Sequence, residues 1–120
     1  MKLYQIINAI PPLNKLGNSD MKMAEAYKLQ KILASIQVEI DFYNKNHMEL
    51  ITKNGQIKDD GTFVIGEDKR SDYMKSMDEL AQTDVEPAFS KMKIAVTENI
   101  QISANDIGAL MPFVEFTEEG

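Results

Sequence analysis

Residues 54–66 read NGQIKDDGTFVIG, and the direction of the chain through this stretch decides the fold. Asp60-Gly61 is a dipeptide suited to a two-residue hairpin turn, whose central positions need a backbone that Gly, Asn and Asp tolerate. Ile57 stands on one arm, and Phe63, Val64 and Ile65, an aromatic and β-branched run, on the other. An acidic loop ending in glycine can also hold a cation or a phosphate. The calcium-loop pattern D-x-[DN]-x-[DN]-G fails here, because Lys58 takes the slot before Asp59 and Asp60 and no glutamate follows at the required distance. Neither G-x-x-x-x-G-K-[ST] nor G-x-G-x-x-G occurs anywhere in the chain. The stretch is therefore read as a hairpin that reverses the chain between two helices, with its acidic residues exposed at the tip.

On the N-terminal side, Ala26, Leu29, Leu33, Ile36, Ile40, Tyr43, His47 and Leu50 follow one another at alternating steps of three and four, a coiled-coil-like seam. No Gly or Pro interrupts it before Gly55. A helix from about Asp20 to Lys53 is expected, roughly 50 Å long at 1.5 Å per residue, with Asn18, Ser19 and Asp20 supplying acceptors for its first amides. On the other side, EDKRSDYMKSMDELAQTD (67–84) puts Tyr73, Met74, Met77, Leu80 and Ala81 on one face, and Glu67 and Asp68 where the helix dipole favours acids. This helix, roughly 20 Å long, covers only the C-terminal part of the seam in an antiparallel hairpin. The remainder falls to the first helix, to the C-terminal region or to another subunit, so homo-oligomerisation through the long helix is one expectation.

At the N-terminus, Leu3, Ile6, Ile7 and Ile10 have helical spacing, and Pro11-Pro12 is expected to break or kink that helix before a short turn ending near Gly17. Past Pro87, Met92, Ile94 and Val96 alternate with polar residues and Ile100 and Ile102 continue the pattern, which predicts two short strands around a turn near Glu98-Asn99. Ser103 and Asp106 form a capping-box pattern ahead of Ile107, Ala109 and Leu110, so a last short helix follows, limited by Pro112. The tail TEEG (117–120) is expected to be frayed and solvated. The fold class is thus α+β, mainly α: a long helix and a shorter antiparallel helix form a hairpin with a β-hairpin at its tip, joined by short C-terminal strands and a helix. One domain spans 1–120, with the helical-hairpin core at 20–82 and a small β/α part at 88–116.

A chain of 120 residues closes one modest core, and 43% hydrophobic with 27% charged residues lies in the globular range. The absence of cysteine removes disulfides, thiolate nucleophiles and Cys-based metal sites. Eight methionines serve as core filler or as an adaptable binding face. A net charge of −6 with Arg70 as the sole arginine disfavours nucleic acid as a partner. The same acidity suits a basic protein surface or DNA mimicry, and also ordinary solubility. No apolar run approaches the ~20 residues that span a bilayer, and the N-terminus is too polar for a signal peptide; a cytosolic chain with no membrane partner is expected.

His47 is the only histidine. General-base work would need a nucleophile or carboxylate pair converging on it, and no recognisable set is present, so it is read as a packed or partly exposed residue. Glu39 and Asp41, and Asp78 and Glu79, stand one or two residues apart and do not share a helix face; with Glu118 and Glu119 they are read as solvated surface. No catalytic, cofactor-binding or metal-ligating residue is assigned. The candidates for contact with a partner are Asp59, Asp60, Phe63, Tyr43 and His47, presented at the end of a helical rod.

The order of LNKLGN (13–18), AYKLQKIL (26–33), ELITKNG (49–55), the Asp60-Gly61 hairpin, DELAQTDVE (78–86) and ISANDIGAL (102–110) resembles a group of small helical proteins encoded by bacteriophages of low-GC and gut bacteria. Leu13, Lys15, Leu16, Ala26, Tyr27, Leu29, Leu50, Ile51, Lys53, Gly55, Ile102, Ser103, Asp106 and Leu110 carry the likeness; Asn54 stands where that group often has an aromatic residue. The group is of unassigned activity, so the resemblance transfers no catalytic residue. It implies a non-enzymatic phage accessory or interaction protein that binds a phage or host protein, in the host cytoplasm or associated with the virion. The alternative is an inhibitor of a host defence factor acting through the acidic surface.

Overall fold

The chain reverses where the Asp-Gly signal stands. In the computed structural model, which describes residues 1–95 and 100–118, β1 (Gly55–Ile57) pairs antiparallel with β2 (Phe63–Ile65) in the register Gly55↔Ile65, Gln56↔Val64 and Ile57↔Phe63. The turn is one residue longer than the expected two-residue form. Lys58 N–H donates to the Thr62 carbonyl at 2.7 Å and Gly61 N–H to the Lys58 carbonyl at 3.0 Å, so Asp59 and Asp60 are the central residues and Gly61, at φ +87°, closes a three-residue loop. A two-residue type I′ turn would force Asp60 itself to positive φ, which costs a non-glycine residue. Asp60 instead accepts hydrogen bonds from the Thr62 amide (3.0 Å) and hydroxyl (2.6 Å), a local bond that holds the longer loop.

Gly55 is fixed by close approach. A Cβ at this position would lie 2.1 Å from the Val64 carbonyl oxygen and 2.8 Å from Ile65 Cδ1. Gly55→Ala is expected to push β2 off its register and to lower unfolding free energy by about 1–3 kcal/mol, read by urea denaturation; an unchanged midpoint would show that β2 does not pack against the end of the long helix.

Upstream of the hairpin, α1 (Leu3–Gly17) and α2 (Met23–Asn54) are both continuous. The expected break at Pro11-Pro12 does not occur. Prolines in a helix interior cost roughly 3 kcal/mol each, but Ala9, Pro12, Leu13 and Leu16 are buried in line with Leu3 and Ile6, and that continuous apolar stripe outweighs the lost backbone bonds. The start of α2 also moves, from Asp20 to Met23, because the NSD segment finishes α1. Asn18 N–H donates to the Asn14 and Lys15 carbonyls and Ser19 Oγ donates to Lys15 O at 2.8 Å. The first turn of α2 is served instead by the Glu25 carboxylate, which accepts from Lys22 N–H at 3.3 Å.

Every residue of the predicted seam on α2 is buried or half-buried. At 32 residues the helix is about 48 Å long. Its seam is occupied from within the chain: α1 and β3 (Met92–Ala95) pack on it, and α3 (Glu67–Ala81) returns along it from the hairpin. Tyr73 and Met77 are half-buried and Leu80 is buried on that return, but Met74 is 63% exposed, so the α3 face is narrower than expected. The end of α3 is stitched to the start of α1: Leu3 N–H donates to Thr83 O at 2.9 Å, Val85 N–H to Met1 O at 2.8 Å, and Lys2 Nζ pairs with Asp84 at 2.8 Å.

The C-terminal region differs most from its expectation. Ile100 and Ile102 are half-buried against the core without forming a strand, and the turn placed near Glu98-Asn99 lies outside the described residues. β3 pairs instead in parallel with β4 (Val114–Thr117), Met92↔Val114 through Ala95↔Thr117, with α4 (Ala104–Leu110) between them in the chain. Parallel neighbours need such a crossover. The Ser103 capping box forms as the sequence predicts: Asp106 N–H donates to Ser103 Oγ at 3.1 Å and Ser103 N–H to Asp106 Oδ2 at 3.0 Å. Lys15 Nζ then bonds the same Asp106 oxygen at 2.8 Å, tying α4 to α1.

One buried cluster joins α1, the N-terminal half of α2, the end of α3, β3, α4 and β4. The distal half of the α2–α3 pair projects beyond it, tipped by the β-hairpin. The extents of 57 × 29 × 22 Å and a radius of gyration of 17.2 Å, against about 14 Å for a compact domain of this length, record that projection.

Candidate functional site

At the projecting end the aliphatic core gives way to aromatic rings. Tyr43 and His47 stand four residues apart on α2, hence on one face, with ring centroids 5.8 Å apart. β2 delivers Phe63, whose ring meets His47 edge-on at 5.8 Å. α3 delivers Tyr73, 6.3 Å from both His47 and Phe63. Tilted and edge-on pairs of this kind are each worth about 0.5–1.5 kcal/mol beyond area burial, enough to hold a thin end of the molecule in one arrangement.

A polar bond runs through the cluster. His47 Nε2 and the Tyr73 hydroxyl lie 2.9 Å apart and share a hydrogen bond whose donor depends on the imidazole tautomer. Burial pushes the Tyr73 hydroxyl above its ordinary pKa, and the neighbouring Tyr43 adds to the rise. Tyr73 is therefore neutral at physiological pH.

Four apolar side chains at this end of the molecule reach solvent. Met48, Ile57, Phe63 and Val64 are all exposed, Phe63 to 41% although its edge touches His47. Ile57 and Phe63 face each other across one side of the hairpin, and Val64 stands opposite Gln56 on the other. Beyond them the loop presents Asp59 and Asp60. The Thr62 hydroxyl and then the Thr62 amide hold the Asp60 carboxyl below its ordinary range, so the tip carries negative charge.

Of the candidate contact residues, Tyr43, His47 and Phe63 are brought together, while Asp59 and Asp60 lie past the strand ends in the turn. Tyr73 completes the cluster and was not among the candidates. Its signal in the sequence is its place on the inward face of α3, since a buried tyrosine hydroxyl needs a partner and the facing seam offers His47. Among the described residues, no three His, Asp or Glu side chains converge as a metal site would require. No helix in them is long and apolar enough to cross a membrane.

Fold and site together define a mainly helical α+β chain with a packed end and a projecting aromatic end. Compared with known proteins, it matches no family model, no curated protein and no solved structure.

Proposed function

We propose that this chain is a non-enzymatic, phage-encoded accessory protein that binds another protein through the projecting end of its helical hairpin. The observation that carries the reading is the exposed apolar set Ile57, Phe63, Val64 and Met48 on a tip stiffened by the rings of Tyr43, His47, Phe63 and Tyr73. Aromatic anchors already held in place lose little freedom on binding, and such residues concentrate interface energy. Asp59 and Asp60 add negative charge at the turn, which favours a partner that combines basic residues with apolar contacts to the hairpin. The partner is a phage or host protein met in the host cytoplasm or on the virion; self-association belongs to the same class of contact.

Capture of partners from infected cells by the tagged full-length chain tests this reading. Ile57→Asp/Val64→Asp alters exposed residues, so the circular dichroism of the variant should match that of the parent while recovery of the specific partner falls about tenfold or more. Equal recovery by the two proteins would remove the tip as the binding surface. Virion or assembly proteins among the captured species support the accessory role. A host nuclease or effector would replace it with inhibition of a defence factor, a reading that rests on the net charge of −6.

A further inference from the structure

A second site lies near the packed end. Lys28 and Lys31 stand one turn apart on α2, and residues 88–91 run beside them, bringing Phe89, Ser90 and Lys91 to the edge of a cleft of about 640 Å³ whose floor includes Ile32 and Met92. The charge of this cleft runs against that of the chain. Acidic residues outnumber Lys and Arg by 19 to 13 overall, yet among the described residues three lysines and no carboxylate line the opening. The ion pairs formed among the described residues, Lys2 with Asp84 and Lys15 with Asp106, use none of the three.

Like charges gathered on one opening repel, and the repulsion is relieved by an anion between them. Lys31 Nζ rests 4.8 Å from the centre of the Tyr27 ring, one turn earlier on α2 and outside the lining of the cleft, a cation–π contact that limits the freedom of the lysine side chain. Phe89 stacks at 5.1 Å and 26° on Phe113, which is fully buried, so the half-exposed Phe89 ring is anchored as one wall. Cationic groups beside an anchored aromatic wall, over an apolar floor, match a small ligand with an anionic head and a planar body. The volume lies within the ~300–1,000 Å³ usual for small-molecule sites.

We propose that this cleft binds a nucleoside phosphate, with Lys28, Lys31 and Lys91 receiving the phosphate and Phe89 the base. The mode is a mononucleotide one. A polynucleotide would need a longer basic track than three lysines in a chain of net charge −6. The site shares no residue with the hairpin tip.

Amide chemical-shift titration of the full chain at low ionic strength, with AMP and separately with inorganic phosphate, tests the assignment. Saturable shifts at Lys28, Lys31 and Phe89–Met92 are expected with AMP, at a dissociation constant in the micromolar to low-millimolar range, and weaker binding of phosphate alone. Lys28→Gln/Lys31→Gln should weaken AMP binding about tenfold or more with unchanged circular dichroism. Phe89→Leu should weaken AMP binding while leaving phosphate binding in place. The absence of saturable shifts at millimolar AMP, unchanged affinity in the double lysine variant, or equal affinity for AMP and phosphate would each overturn the proposal. Tighter binding of a single-stranded oligonucleotide than of AMP would overturn its mononucleotide form.

Discussion

Phe113→Ala is expected to lower the unfolding free energy by about 3–5 kcal/mol, out of the 5–15 kcal/mol typical of a whole domain. The side chain is fully buried and stacked on Phe89. Its backbone ties two parts of the C-terminal region together: Phe113 N–H donates to Leu110 O at 2.8 Å, closing the end of α4, and Phe113 O accepts from Met92 N–H at 3.1 Å, opening the parallel pairing of β3 with β4. Truncation leaves a ring-sized void one residue before β4, at a junction of a short helix and two short strands that have little stability of their own. Urea denaturation followed by circular dichroism gives the measurement; a loss below about 1 kcal/mol would mean that the ring is not part of a packed core.

The second large effect is expected at Ile36, with Val38 as its internal control. The two residues share α2, both are β-branched, and they lie two positions apart, so they point to different sides of the helix. Ile36 is fully buried where α2 joins the main cluster, whereas Val38 is 70% exposed. Ile36→Ala should cost about 2–5 kcal/mol, through lost transfer energy and the cavity left behind. Val38→Ala should stay within about 0.5 kcal/mol, and alanine's higher helix propensity pulls it towards stabilisation. Similar losses at the two positions, in the same denaturation experiment, would show that the outer face of α2 is covered in solution, as it would be in a self-associated form.

These two positions illustrate what the spacing of residues can reveal. The seam from Ala26 to Leu50 was legible because a helix repeats every 3.6 residues, so burial of one face writes itself into the chain at fixed steps. The depth of burial was not legible. Leu29 and Ile36 are sealed while Leu33 between them, and Ile40, Tyr43 and His47 further along the seam, are half-buried, because the depth of each side chain depends on which distant elements pack over it. The candidate contact residues show the same division. Tyr43 and His47 could be paired from their spacing, and Phe63 from the hairpin, but Tyr73 joins them only through the packing of α3 on α2.

The sequence by itself determined the features whose partners are a few residues away: the reversal at Asp60-Gly61, the helical character of α2 and α3 and the Ser103–Asp106 cap. Each depends on a backbone preference or a hydrogen bond within three or four residues, which the local order of side chains specifies. Tertiary structure alone decided that α1 runs through Pro11 and Pro12, since only burial of its stripe offsets the missing donors. It also decided that β3 pairs with β4, about twenty residues on, instead of with the nearer Ile100–Ile102. The lysine cleft belongs with these, because Lys28 and Lys31 share an opening with Lys91 only when residues 88–91 lie beside α2. Contacts between distant residues are chosen by which surfaces fit and exclude water together, and no local pattern records that choice.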